Sequence, residues 1–182
     1  MSFEIRCAVP ADVPALRDLI DASVRALQAG DYSPEQIEGA LGTVLGADSQ
    51  LIADGTYFVV EVVGGGGDRQ IAGCGGWSKR KTLFGGDRGP GREDNLLDPL
   101  TDSARIRALF VHPDWARRGV GSRLLATCEE AAKEAGFKGF ELGATLTGER
   151  LFRASGYQAI DRIEVPLSNG ASLPVIRMSK AA

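Results

Sequence analysis

The chain has 182 residues, 43% hydrophobic and 25% charged, with a formal net charge of −3. That size and composition suit one domain, 1–182, with its own core. The charge gives no electrostatic reason to expect a nucleic-acid partner. The longest apolar runs, such as Tyr57 to Val63, are strand-sized and far short of the roughly 20 residues of a membrane helix. Met1-Ser2-Phe3-Glu4 lacks the basic and then apolar run of a signal peptide, so the cytoplasm is expected.

In chain order, Phe3 to Val9 reads as a strand closed by Pro10. Asp12 is placed to cap a helix along which Val13, Leu16, Leu19, Ile20, Val24 and Leu27 recur at helical spacing. Ser33 and Pro34 open a second short helix. Tyr57 to Val63 and Gln70 to Trp77 pair as a hairpin across the glycines at 64–67, which lie between strands and so make a turn rather than a phosphate loop. The stretch 82–103 mixes glycine, proline and charge as a long connection. Such a connection is either functional or a neutral insertion. Its Leu83, Phe84, Leu96, Leu97 and Leu100 argue that it packs onto something, either the acceptor side of a cleft or a second subunit in a homodimer. Strand character returns at Arg105 to Val111, a loop enters a helix between Ala116 and Gly136, and Phe140, Leu142 and Ala144 alternate as the next strand. A short helix ends at Gly156, and two final strands join across Asn169-Gly170. The sum is a mixed sheet flanked by helices.

Cys7, Cys74 and Cys128 have no disulfide or zinc spacing and read as small buried hydrophobes. The single histidine, His112, has no metal-ligand or triad companions, so no metal is expected. The chemistry concentrates in Ile106 to Pro113 and the following Asp114-Trp115-Ala116-Arg117-Arg118-Gly119-Val120-Gly121-Ser122. A strand ends at a proline, and a loop rich in Arg and Gly enters a helix. Unpaired N–H groups and the helix dipole then converge on one point, an anion site for phosphate or pyrophosphate. Gly119 and Gly121 allow close approach of the anion, and Ser122 adds a hydroxyl. Neither GxxxxGK[ST] nor GxGxxG is present.

Ala116-Arg117-Arg118-Gly119-Val120-Gly121 resembles the [Arg/Gln]-x-x-Gly-x-[Gly/Ala] signature of the GNAT N-acetyltransferase superfamily, departing from it at Ala116. Leu151-Phe152-Arg153-Ala154-Ser155-Gly156-Tyr157 resembles the family's Leu-Tyr-x-x-x-Gly-Phe, and the element order agrees over the whole chain. The resemblance implies a GNAT-like mixed, mostly antiparallel sheet whose fourth and fifth strands splay apart. It implies acetyl-CoA bound by Arg117, Arg118, Gly119, Val120, Gly121 and Ser122, with pantetheine along the backbone of Leu109, Phe110 and Val111 and with Phe152 beside it. The expected reaction is direct attack of a primary amine, from a small molecule, peptide or protein, on the thioester. Where the family often has a tyrosine as proton donor this chain has Phe152, and the one candidate base is Glu141, whose other reading is an ion-paired strand carboxylate. Those two departures keep a second expectation open, a non-catalytic acyl-CoA sensor or interaction module.

Overall fold

Seven strands form one sheet in the computed structural model, which describes residues 2–182. They are β1 (Ser2–Cys7), β2 (Tyr57–Val63), β3 (Arg69–Ser78), β4 (Ala104–Val111), β5 (Gly139–Thr145), β6 (Gln158–Pro166) and β7 (Ser172–Ala181). The spatial order is β1-β2-β3-β4-β5-β7-β6, and every neighbouring pair is antiparallel except β4 with β5. That is the mixed, mostly antiparallel sheet expected.

Helices cover both faces. On one lie α1 (Val13–Leu27), α2 (Pro34–Ala40) and α3 (Ser49–Ala53); on the other lie α4 (Val120–Glu134) and α5 (Glu149–Ala154). The periodic positions of α1 do what their spacing requires: Leu16, Leu19, Ile20 and Val24 are buried, with α1 packed on β3 and β4. Burying each such side chain stabilises the fold by about 1.5–3 kcal/mol. Ser33 caps α2 through a reciprocal pair with Gln36. Gly136, with φ of 96°, takes the left-handed conformation just beyond α4.

Several local expectations need correction. β1 stops at Cys7, because Pro10–Asp12 forms a single 3-10 turn ahead of α1. Asp12 does not cap α1 through its side chain; the carboxylate accepts from the Val9 N–H and binds Arg6 instead. Cys7 is exposed, because β1 is an edge strand, while Cys74 and Cys128 are buried as expected. Burial pushes the Cys74 thiol up to about 12, so it stays protonated at neutral pH. α3 has too few residues to show a period in the sequence. No helix among the described residues is long and apolar enough to cross a membrane.

Candidate active site

His112 ends β4, and its Nδ1 accepts from the Asp114 N–H at 3.2 Å, capping the turn Pro113–Trp115. The lone histidine is thus a structural cap. Beyond the turn, Arg117 and Gly119 both take positive φ, 63° and 81°, and α4 begins at Val120. Across this reversal the N–H groups of residues 117 to 122 make no backbone hydrogen bond among the described residues. They make a helix start with free donors and the helix dipole behind them, an arrangement that suits an anion.

These amides open on a cleft of about 740 Å³. Its lining contains Leu109, Phe110 and Val111 from β4, Arg117, and the α4 entrance from Gly119 through Ser122. Two of the expected cofactor residues lie outside it: Phe152 lines a smaller adjoining pocket, and the Arg118 guanidinium lies over the Trp115 ring, 5.0 Å from the centroid. The two glycines have different reasons. Around Gly119 there is open space for a Cβ, so its positive φ is what selects glycine. At Gly121 a Cβ would stand 3.2 Å from Leu151 of α5, so glycine there permits close helix packing at the cleft wall. Close approach of an anion, the reason expected for both, is joined by these.

The cleft exists because β4 and β5 part. They pair only at Ala104↔Phe140 and Arg105↔Glu141, after which the β4 edge runs on unpaired. A bulge against β3 starts the divergence: Cys74 pairs with Phe110 and Gly76 with Arg107, leaving Ala108 at φ 51°. A non-glycine residue in that conformation costs on the order of 1–3 kcal/mol. Tyr57 holds it, donating from its hydroxyl to the Ala108 carbonyl at 2.9 Å. Gly75 and Gly76 make room; a Cβ on Gly76 would lie 2.6 Å from the Thr56 carbonyl oxygen.

A smaller pocket of about 90 Å³ adjoins the cleft and shares Gln28, Leu109, Phe110, Thr145, Gly148 and Leu151 with it. The long β3–β4 connection forms one wall through Leu83, Phe84 and Gly85, and residues 44–46 form another. Leu97 of the connection is also buried, while Leu96 and Leu100 remain exposed, so only part of the expected apolar set packs down. The connection is pinned by arginines. Arg107 donates to the carbonyls of Thr82 and Gly85 and binds Asp48 at 2.7 Å; Arg92 binds the same carboxylate at 3.1 Å. Asp48 is fully buried and also accepts from the Gln50 N–H at the start of α3. Arg105 donates to the carbonyls of Lys81 and Ser103. Sequence reading missed Gln28, Asp48, Tyr57 and Arg107, because no motif or spacing links them.

Glu141 lies on β5 at the paired end of β4 and β5, binding Arg105 at 3.3 Å and Arg177 at 3.6 Å, and it lines neither cavity. Phe152 is buried in the lining of the smaller pocket, edge-on to Tyr157 with centroids 5.7 Å apart. Tyr157 does not replace the missing hydroxyl, since it donates to Glu129 at 2.9 Å and faces neither cavity. No cluster of metal-ligating side chains occurs among the described residues.

The family model for the acetyltransferase (GNAT) domain matches residues 53–159. No curated protein is close enough in sequence to match. Solved structures are similar in fold. A GCN5-related N-acetyltransferase from Rhodopseudomonas palustris is 24% identical, with a TM-score of 0.72 over 100% of this chain and 97% of its own. PaiA N-acetyltransferase from Thermoplasma acidophilum, in complex with coenzyme A, is 16% identical, with a TM-score of 0.64 over 100% of both chains. The acetyltransferase YncA from Salmonella typhimurium, with acetyl-CoA, is 16% identical, with a TM-score of 0.62 over 100% of this chain and 94% of its own.

Proposed function

The chain belongs to the GNAT acetyltransferase family, and on that premise we propose that it transfers an acetyl group from acetyl-CoA to a primary amine by direct attack. The observation that carries this reading is the row of unpartnered N–H groups at residues 117–122, opening on the same cleft as the unpaired β4 edge. The amides of Gly119, Val120, Gly121 and Ser122 suit a pyrophosphate, and the Arg117 side chain in the cleft lining adds positive charge. The backbone edge at Leu109, Phe110 and Val111 suits the amide-bearing pantetheine, which would add to it as a short strand. Acetyl-CoA supplies an activated thioester. The amine lone pair forms the C–N bond as the C–S bond breaks, the electron pair leaves on sulfur, and the proton shed by nitrogen passes to thiolate or solvent.

Phe152 cannot protonate the leaving sulfur. A thiol of pKa about 8.5 leaves as thiolate near neutral pH without such help, and general-acid assistance is worth about 10²–10⁴-fold. Phe152→Tyr is therefore expected to leave turnover intact or raise it. Glu141, held by two arginines outside both cavities, is poorly placed for direct proton abstraction, which leaves deprotonation of the amine to water. The three unpaired thiols suit a reducing, cytoplasmic compartment. The test is release of coenzyme A thiol from acetyl-CoA, followed across a panel of amines. Thermal stabilisation by acetyl-CoA without amine-dependent thiol release would reject catalysis while keeping the cofactor site.

A further inference from the structure

Gln28 and Arg107, which both line the smaller pocket, each carry a buried polar atom with no hydrogen-bond partner among the described residues. Gln28 is 5% exposed and its orphan is Oε1, an acceptor; Arg107 is 3% exposed and its orphan is Nε, a donor. Such atoms are rare in native interiors, and each calls for a partner. The one other, Trp115 Nε1, lines neither cavity.

Charge sharpens the chemistry. Asp48 is the buried carboxylate between Arg107 and Arg92, so two guanidinium groups share one close anion. Asp94 meets Arg92 from the exposed side and, without touching Arg107, adds negative charge near it. Burial pulls the Arg107 guanidinium below its ordinary pKa, so an added anion would relieve it. Most of the remaining wall is apolar, with Val44, Leu45, Leu83, Phe84 and Leu142, and Thr145 adds one hydroxyl. A volume of about 90 Å³ admits a few heavy atoms and no folded polypeptide. Gln28 stands at the junction with the larger cleft, where an acceptor amine would meet the acyl group.

We propose, resting on the acetyltransferase reading above, that the acceptor is a small amino acid with a short apolar side chain. A small rotation of each side chain turns Arg107 Nε to its carboxylate and Gln28 Oε1 to a hydrogen of its amine, and the apolar wall receives the side chain. The amine sheds its proton to water and attacks as the free amine.

Arg107 also pins the connecting loop, so replacing it risks unfolding, and the main comparison is run on the unaltered protein. Thiol release is measured with L-valine, with L-valinamide and with 2-methylpropylamine, its decarboxylated counterpart. L-Valine is expected to exceed the simple amine in kcat/KM on the order of a hundredfold, with the amide between them. Equal rates, or preference for the simple amine, overturn the carboxylate role. Gln28→Leu is expected to raise KM for L-valine about tenfold, with KM for acetyl-CoA unchanged; an unchanged KM for L-valine overturns the role of Gln28. If acetyl-CoA stabilises the protein and other amines are acetylated while L-valine is not, this inference falls and the acetyltransferase reading stands. If acetyl-CoA neither binds nor turns over, both fall.

Discussion

The two sides of the cleft are built by opposite means. The α4 entrance is made of consecutive backbone amides, positioned by Arg117 and Gly119 within one short loop. The smaller pocket is made of residues drawn from the end of α1 at Gln28, from residues 44–46, from the β3–β4 connection, from β4 and β5 and from α5, fastened by the buried Asp48. A group that varies little, such as a pyrophosphate, can be held by backbone that any compatible sequence reproduces. Selecting among acceptors needs side chains, and those come from wherever the fold brings them. The first side is local in sequence and the second is not.

The sharpest way to break this contrast is Asp48→Asn. It leaves Arg107 buried without its close anion, and breaking a buried pair in this way costs about 3–5 kcal/mol. The expected outcome is a large fall in Tm with the β3–β4 connection opened to protease. Acetyl-CoA is still expected to stabilise the variant, and losing that effect as well would mean the two sides are one unit. The reciprocal change is Gly121→Asp, which drives a carboxylate and its Cβ toward Leu151 and the anion site. Stabilisation by acetyl-CoA at a hundred times its Kd, worth about 2.7 kcal/mol, is expected to vanish. Calorimetry showing undiminished binding would move the cofactor site elsewhere.

Tyr57→Phe probes the join between the two sides. Removing the hydroxyl that holds the Ala108 carbonyl is expected to cost about 1 kcal/mol in denaturant unfolding. Turnover should fall more than stability if the bulge sets the cleft. The smallest effect concerns Asp54, whose carboxyl the Arg80 guanidinium holds below the usual range at the root of the connection. A depressed folded pKa means stability present above the unfolded value of about 3.9 and lost as pH falls through the folded one. Asp54→Asn should lower Tm slightly near pH 7, where the pair is fully formed, and flatten that acid limb so that the two curves converge at low pH; an unaltered acid limb would show that the pair adds nothing.

The same contrast explains what could be read in advance. The strand ending at Pro113, the glycines and the amphipathic α4 are neighbours in sequence, so their joint meaning is visible there. The splay of β4 from β5 came only through resemblance, because Ala108 carries no sign of its left-handed conformation; that depends on the bulge against β3 and on the Tyr57 hydroxyl of β2. Asp48 and Arg107 lie 59 positions apart and look like ordinary surface charges until the fold buries them together. Arg118 differs in the other direction, since its place in the motif does not reveal that Trp115 takes its side chain while its backbone N–H stays free.

The sheet also has two ends, β1 and β6. Nearly every residue of β6 is exposed, so it resembles a bare strand inviting another to pair. Its composition works against that. Asp161, Arg162 and Glu164 line it, Pro166 closes it, and Ile160 sits at a register break between Ala159 and Asp161. An incoming chain would meet charge, then a kink, then a residue with no N–H to offer. Growth of the sheet by strand addition is thereby discouraged along β6, and a second copy of the protein would associate more readily through side-chain surfaces elsewhere than through this edge.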